Sequence, residues 1–198
     1  MADTHSTKQG NPAVVGLAGF GMTTLLLQFH NLGWIGLGPV VWMGLIFGGT
    51  AQLIAGLMEK SLGNSFGFSA FTAYGAFWIS LVGIWFGNEF GHWTAAPIDM
   101  ALYLLVWGGY TTIMLAGALR IHRAMTVTFA SLALGFFLLS AEFFAKHAGN
   151  MDLAHTLKTV AAWELIFCAL SALYMLTAII VNETAGRQVL PFGAPVIR

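Results

Sequence analysis

Apolar residues run through this chain in six long blocks separated by short polar breaks. A helix that crosses a bilayer needs about 20 mainly apolar residues. The blocks meet that length near Pro12–Phe29, Gly36–Met58, Gly67–Gly87, Ile98–Leu119, Met125–Ala145 and Leu157–Val181. His30, Asn31 and Gly33 close the first. Glu59-Lys60-Ser61 and Gly63-Asn64-Ser65 part the second from the third, and Asn88 through Pro97 part the third from the fourth. Arg120-Ile121-His122-Arg123 is a tight basic turn, and Lys146 through Thr156 a longer polar loop. No break is long enough for a second domain. The pattern predicts an all-α membrane domain over 12–181, with a polar tail at 1–11 and another at 182–198.

Composition sharpens this reading. The 198 residues are 58% hydrophobic and 8% charged, whereas globular domains carry about 45–50% apolar and about 25% charged residues. Such a chain is expected to use the lipid bilayer as its solvent. The first ten residues lack the basic start, apolar run and cleavage site of a signal peptide. Basic residues set the orientation. Lys8, Lys60, Arg120, Arg123, Arg187 and Arg198 fall on the side of the termini, and only Lys146 and Lys158 fall opposite. Both termini are therefore expected in the cytoplasm.

Candidate chemistry is sparse. Small residues crowd the first three spans: Gly16, Gly19 and Gly21, then Gly44, Gly48, Ala51 and Ala55, then Ala70, Gly75 and Ala76. This spacing lets helix backbones approach closely, and it can leave a narrow conduit beside them. Thr23, Thr24 and Gln28, Thr50 and Gln52, and Ser69, Thr72, Tyr74 and Ser80 are polar groups within spans. In hydrocarbon each needs a partner, either a neighbouring helix or a small polar solute. Glu142 is spaced to pair with Lys146 four residues on. Glu164 lies well inside the sixth span, as a packing group or as part of a path. Cys168 has no partner thiol and reads as a small apolar filler. No Lys lies within a span to anchor a retinal, and five of the histidines (His30, His92, His122, His147 and His155) sit at span ends or in loops, where two cannot clasp a haem. HExxH, GxSxG and Walker A motifs are absent. The expectation is a non-enzyme with no metal, no cofactor and no nucleic-acid partner.

One motif is sharper than composition. Asn11-Pro12-Ala13-Val14-Val15-Gly16-Leu17 opens the first span. It resembles the NPAPLGL signature of the acetate uptake transporter family, the succinate–acetate permeases and their fungal relatives, with Val14 where the usual pattern has a second proline. Gly19-Phe20-Gly21-Met22-Thr23-Thr24, Gly48-Gly49-Thr50-Ala51-Gln52, Gly63-Asn64-Ser65-Phe66-Gly67 and Ala70 through Trp78 resemble the family too. So do Asn182-Glu183, Gly186-Arg187 and Val189-Leu190-Pro191. The similarity is strong to Trp78 and weaker from Asn88 to Thr159.

The resemblance implies a six-helix subunit like that of the urea/amide channels, assembled as a homo-hexamer in the inner (plasma) membrane. Each subunit would hold a path for acetate and other small carboxylates, with succinate taken by some members. Transport in the family is described both as proton-coupled symport and as channel-like. The family's apolar constriction of Phe, Tyr and Leu falls by position on Phe20, Tyr74 and Leu132. Physical chemistry adds candidate groups for the carboxylate: Thr23, Thr24, Gln52, Thr72 and the Tyr74 hydroxyl as donors, Asn11 and Pro12 at a helix N-terminus suited to anions, and Glu164 as a titrating group. The other readings are a channel for a neutral solute such as urea or an amide, and a structural membrane protein with no conduit.

Overall fold

A computed structural model describes residues 10–197; most of the expected N-terminal tail, with Lys8, and Arg198 lie outside the described residues. Six helices are long and apolar enough to span a membrane: α1 (Ala13–Asn31), α2 (Gly38–Ser61), α3 (Ser65–Phe90), α4 (Pro97–Ala118), α5 (Arg123–His147) and α6 (Met151–Ala185). The six apolar blocks each became one helix. The largest difference from the pattern is α6, which starts within the expected polar loop. Asn150 explains this: its Oδ1 accepts from the Leu153 N–H at 3.1 Å, so the polar residues from Met151 form helix above the apolar stretch. The Asn64 side chain starts α3 by accepting from Gly67 N–H at 3.0 Å. His122 starts α5 through Nδ1, which accepts from Met125 N–H at 3.0 Å.

The helices pack in the spatial order α3, α2, α1, α6, α5, α4. Within the first half, small residues permit backbone contact. A Cβ at Gly19 would stand 2.7 Å from the Phe47 carbonyl oxygen of α2, and one at Gly75 would stand 2.7 Å from the Leu53 amide nitrogen. The ring closes between α3 and the α4–α5 pair by side chains instead. Phe77 meets Trp107 and Phe136 at 5.2 Å each, and Phe66 meets Phe129 at 5.2 Å. Bulky rings hold those backbones apart, and the cavities inside the bundle are lined by several of them.

The α2 helix has a feature the hydrophobic pattern did not predict. From Gly44 to Ala51 its turns widen to the π type, and the Thr50 hydroxyl donates to the Leu45 carbonyl five residues back at 2.9 Å. Wide turns of this kind are rare and concentrate at functional sites. Gln52 follows immediately.

The start of α1 and the end of α6 meet at one end of the bundle. Asn11 Oδ1 accepts from Ala13 N–H at 3.0 Å, and its Nδ2 donates to Glu183 on α6 at 3.1 Å. Beyond α6 the chain folds back as a strap. Tyr174 donates to the Pro191 carbonyl at 2.7 Å, Ala124 N–H to the Phe192 carbonyl at 3.0 Å, and Val196 N–H to the Leu119 carbonyl at 2.9 Å. The strap is thereby fixed to the Arg120–Arg123 turn.

Candidate functional site

Among the described residues, two neighbouring cavities lie inside the bundle. The larger, of about 290 Å³, reaches toward the end that carries the strap, and its walls include Ala13, Gln52, Asn64, His122, Thr128, Phe129 and Phe192. The smaller, of about 30 Å³, is lined by Thr24, Gln28, Phe77, Trp78 and Phe136 among others. Phe20, Tyr74 and Leu132 line both. The three come from α1, α3 and α5 and are each at most 7% exposed. The Phe20 and Tyr74 rings stand 6.1 Å apart at their centroids. They make an apolar wall that the two chambers share.

The polar groups near this wall fall into those with partners and those without. Tyr74 donates to Thr111 Oγ1 at 2.9 Å, and Thr111 in turn donates to the Trp107 carbonyl at 2.7 Å. The Tyr74 proton is therefore committed to α4. Thr128 donates to the Ala124 carbonyl at 3.1 Å and shares a 2.7 Å bond with Ser171. Asn64 donates to Glu59 Oε2 at 2.7 Å and accepts from Gly67. Gln52 differs: it is fully buried, and neither Oε1 nor Nε2 has a partner. A buried amide left so costs about 1–3 kcal/mol for each unpaired group. An orphan amide on a cavity wall is suited to receive a polar solute.

The other expected residues scatter. Thr24 lines the smaller chamber. Thr23 and Thr72 line neither; their unpartnered hydroxyls lie against Gly48 and Gly56, where they fill the α1–α2 and α2–α3 contacts. Asn11 and Pro12 line an outer groove between α1 and α2 with Val15, Ile54 and Met58, away from both chambers. Glu164 also lines neither chamber. One of its oxygens accepts from Ser131 on α5, and the other, unpartnered, lies near Gly135. Glu142 pairs with Lys146 at 2.6 Å, as their spacing predicts.

Gln28, Asn64, His122, Thr128, Phe129 and Phe192 are chamber residues that sequence reasoning did not assign to a site. Gln28 carried a signal, because it follows Thr24 by four residues and shares its helix face. Asn64 and His122 carried only helix-start signals, and Phe192 reaches its place by a fold-back that no local pattern reports. Among the described residues no group of three His, Cys, Asp or Glu could hold a metal ion.

Six apolar helices around two chambers that share an apolar wall define a multi-pass membrane protein of the class that passes small solutes. The chain belongs to the GPR1/FUN34/yaaH family, whose sequence profile matches residues 1–193. It is 42% identical over 190 residues to the succinate-acetate/proton symporter SatP of Escherichia coli (strain K12), covering 95% of this chain and 97% of that one. It is 29% identical to acetate permease A of Emericella nidulans, over 94% of this chain and 67% of that one. The solved structure of the bacterial acetate channel SatP superposes with a TM-score of 0.85 at 41% identity, over 94% of this chain and 100% of the other.

Proposed function

We propose that this protein is an inner-membrane permease for acetate and related small carboxylates. The observation that carries the proposal is the wall shared by the chambers, which we read as a neck: Phe20, Tyr74 and Leu132 bound both, and Gln52 presents an unspent amide in the larger one. Apolar rings suit the acetate methyl, and the amide suits its carboxylate. The larger chamber's lining contains no Lys, Arg, Asp or Glu. Neutral donors hold an anion weakly enough to release it, which conduction requires. They also favour one negative charge over two, so acetate is preferred and a dicarboxylate such as succinate passes best as its monoanion.

Kinship to a named proton symporter and to a named acetate channel supports carboxylate transport by this chain. The subunit is one membrane domain over 12–181, assembled as a homo-hexamer with cytoplasmic termini. The shared end of the termini and the Arg120–Arg123 turn supports that orientation under the basic-residue rule. Labelled acetate uptake into proteoliposomes tests the reading. Unlabelled small monocarboxylates compete and urea does not; competition by urea with none by carboxylates transfers the chain to the neutral-solute channels. An imposed pH gradient, acid outside, drives accumulation if protons are coupled.

A further inference from the structure

The larger chamber has five polar side chains in its wall apart from thioethers: Gln52, Asn64, Tyr74, His122 and Thr128. Three are spent. Asn64 gives one Nδ2 proton to Glu59 and its Oδ1 accepts from Gly67, the Tyr74 proton goes to Thr111, and the Thr128 proton goes to the Ala124 carbonyl, with the Ser171 hydroxyl sharing a bond with its oxygen. Two donate no hydrogen bond to another group among the described residues. Gln52, deep in the wall and fully buried, has both amide atoms unpaired. His122, half-buried at the strap end, uses only Nδ1, as the acceptor for Met125 N–H at 3.0 Å. That bond fixes the tautomer of the neutral ring. With Nδ1 accepting, the proton must sit on Nε2, and imidazole Nε2–H is a donor. The ring packs, tilted by 35°, on Phe192 of the strap at 4.9 Å, and Phe192 is itself anchored through its carbonyl to Ala124 N–H.

Resting on the transport reading above, we propose that His122 is a carboxylate-docking and specificity residue at the strap-end mouth of the larger chamber, donating from Nε2 to the substrate while Phe192 covers the substrate's apolar end. His122 and Gln52 then form an outer and an inner donor along one chamber, with the neck beyond. A neutral solute that offers only a weak acceptor gains little from an imidazole N–H, so the mouth selects for carboxylates before the neck selects for size. The strap makes this site conditional on the C-terminal segment, because Phe192 is the platform that orients the ring.

Two variants separate docking from helix capping. His122→Asn retains a good N-cap for α5 but withdraws the donor and the ring contact. His122→Gln keeps a long side chain with an amide donor. Labelled acetate flux across proteoliposomes, with its concentration dependence, is read for the parent and both variants. His122→Asn is expected to raise the half-saturation concentration about ten- to a hundredfold, the loss of one hydrogen bond to a charged carboxylate, with the maximal rate within about twofold of the parent. His122→Gln recovers part of that loss. In the full-length parent labelled with 15N-histidine, acetate titration shifts the Nε2 resonance that disappears in His122→Asn. An unchanged half-saturation in His122→Asn, or an Nε2 resonance indifferent to acetate, overturns the docking role while parental flux leaves the transport reading standing. No flux in the parent removes the transport reading itself.

Discussion

Gln52 sets two demands against each other at a single side chain. As a buried amide without partners it destabilises the empty protein, and as a donor on the chamber wall it serves the substrate. Gln52→Leu removes the orphan atoms at similar volume. We expect it to raise the melting temperature in detergent, in line with about 1–3 kcal/mol of relieved desolvation, and to lower acetate flux by an order of magnitude. A variant that is less stable, or that transports like the parent, contradicts this assignment. Glu164 gives the contrasting case. It meets Ser131 between α5 and α6 and lines neither chamber. Glu164→Gln preserves a hydrogen-bonding partner for Ser131, so flux should keep its pH dependence; loss of that dependence would return Glu164 to the pathway. Sequence spacing made Glu164 conspicuous because a carboxylate in a span is rare. Which way it faces is a matter of helix rotation, and the flanking residues do not encode that locally.

At the scale of elements, the small residues of the first half were legible as close contacts, and they are. Gly19 has the Phe47 carbonyl within 2.7 Å of where a Cβ would stand. Gly19→Val should cost at least 1–3 kcal/mol, roughly the range for overpacking, and lower the melting temperature; an unchanged value would mean the α1–α2 contact is looser than described. The wide turns of α2 and the strap were not legible. The first depends on how Gly44 to Ala51 accommodate neighbouring helices, and the second on carbonyls at Leu119 and Phe192 that are far apart in sequence. The strap should respond to pH. Burial holds the His122 pKa below the ordinary histidine range. The folded state thus binds fewer protons than the unfolded one, so this contribution is complete above the ordinary range and is lost as pH falls through the lowered value. Protonation also removes the Nδ1 acceptor used by Met125. The charged neighbours along the turn are Arg120 and Arg123, the strap adds Arg187 and no carboxylate between Gly186 and Ile197, and across the mouth Glu59 is engaged by Asn64. Hydrogen exchange at the Ala124, Val196 and Ile197 amides, corrected for intrinsic rates, should quicken on acidification, and His122→Asn should abolish that dependence.

At the scale of the molecule, the six spans followed from hydrophobicity alone, whereas the wall shared by the chambers did not. Phe20, Tyr74 and Leu132 lie on three helices, and no periodicity brings them together; only resemblance pointed to them before the chambers did. The topology is testable on this chain because its one cysteine, Cys168, is fully buried. A cysteine at Asn150 should react with an impermeant reagent added outside the cell, and one at His122 should not, with the reverse result placing the termini outside.

The central claim is that acetate passes through the Phe20–Tyr74–Leu132 neck. Leu132→Trp fills that neck from α5 without touching the wide turns of α2 or the strap. Labelled acetate uptake into proteoliposomes, measured for the parent and Leu132→Trp beside protein-free vesicles, tests it most directly. The account predicts saturable uptake by the parent and background uptake by a Leu132→Trp protein that still assembles. Equal uptake by the two proteins would contradict it, because the path would then lie elsewhere in the molecule.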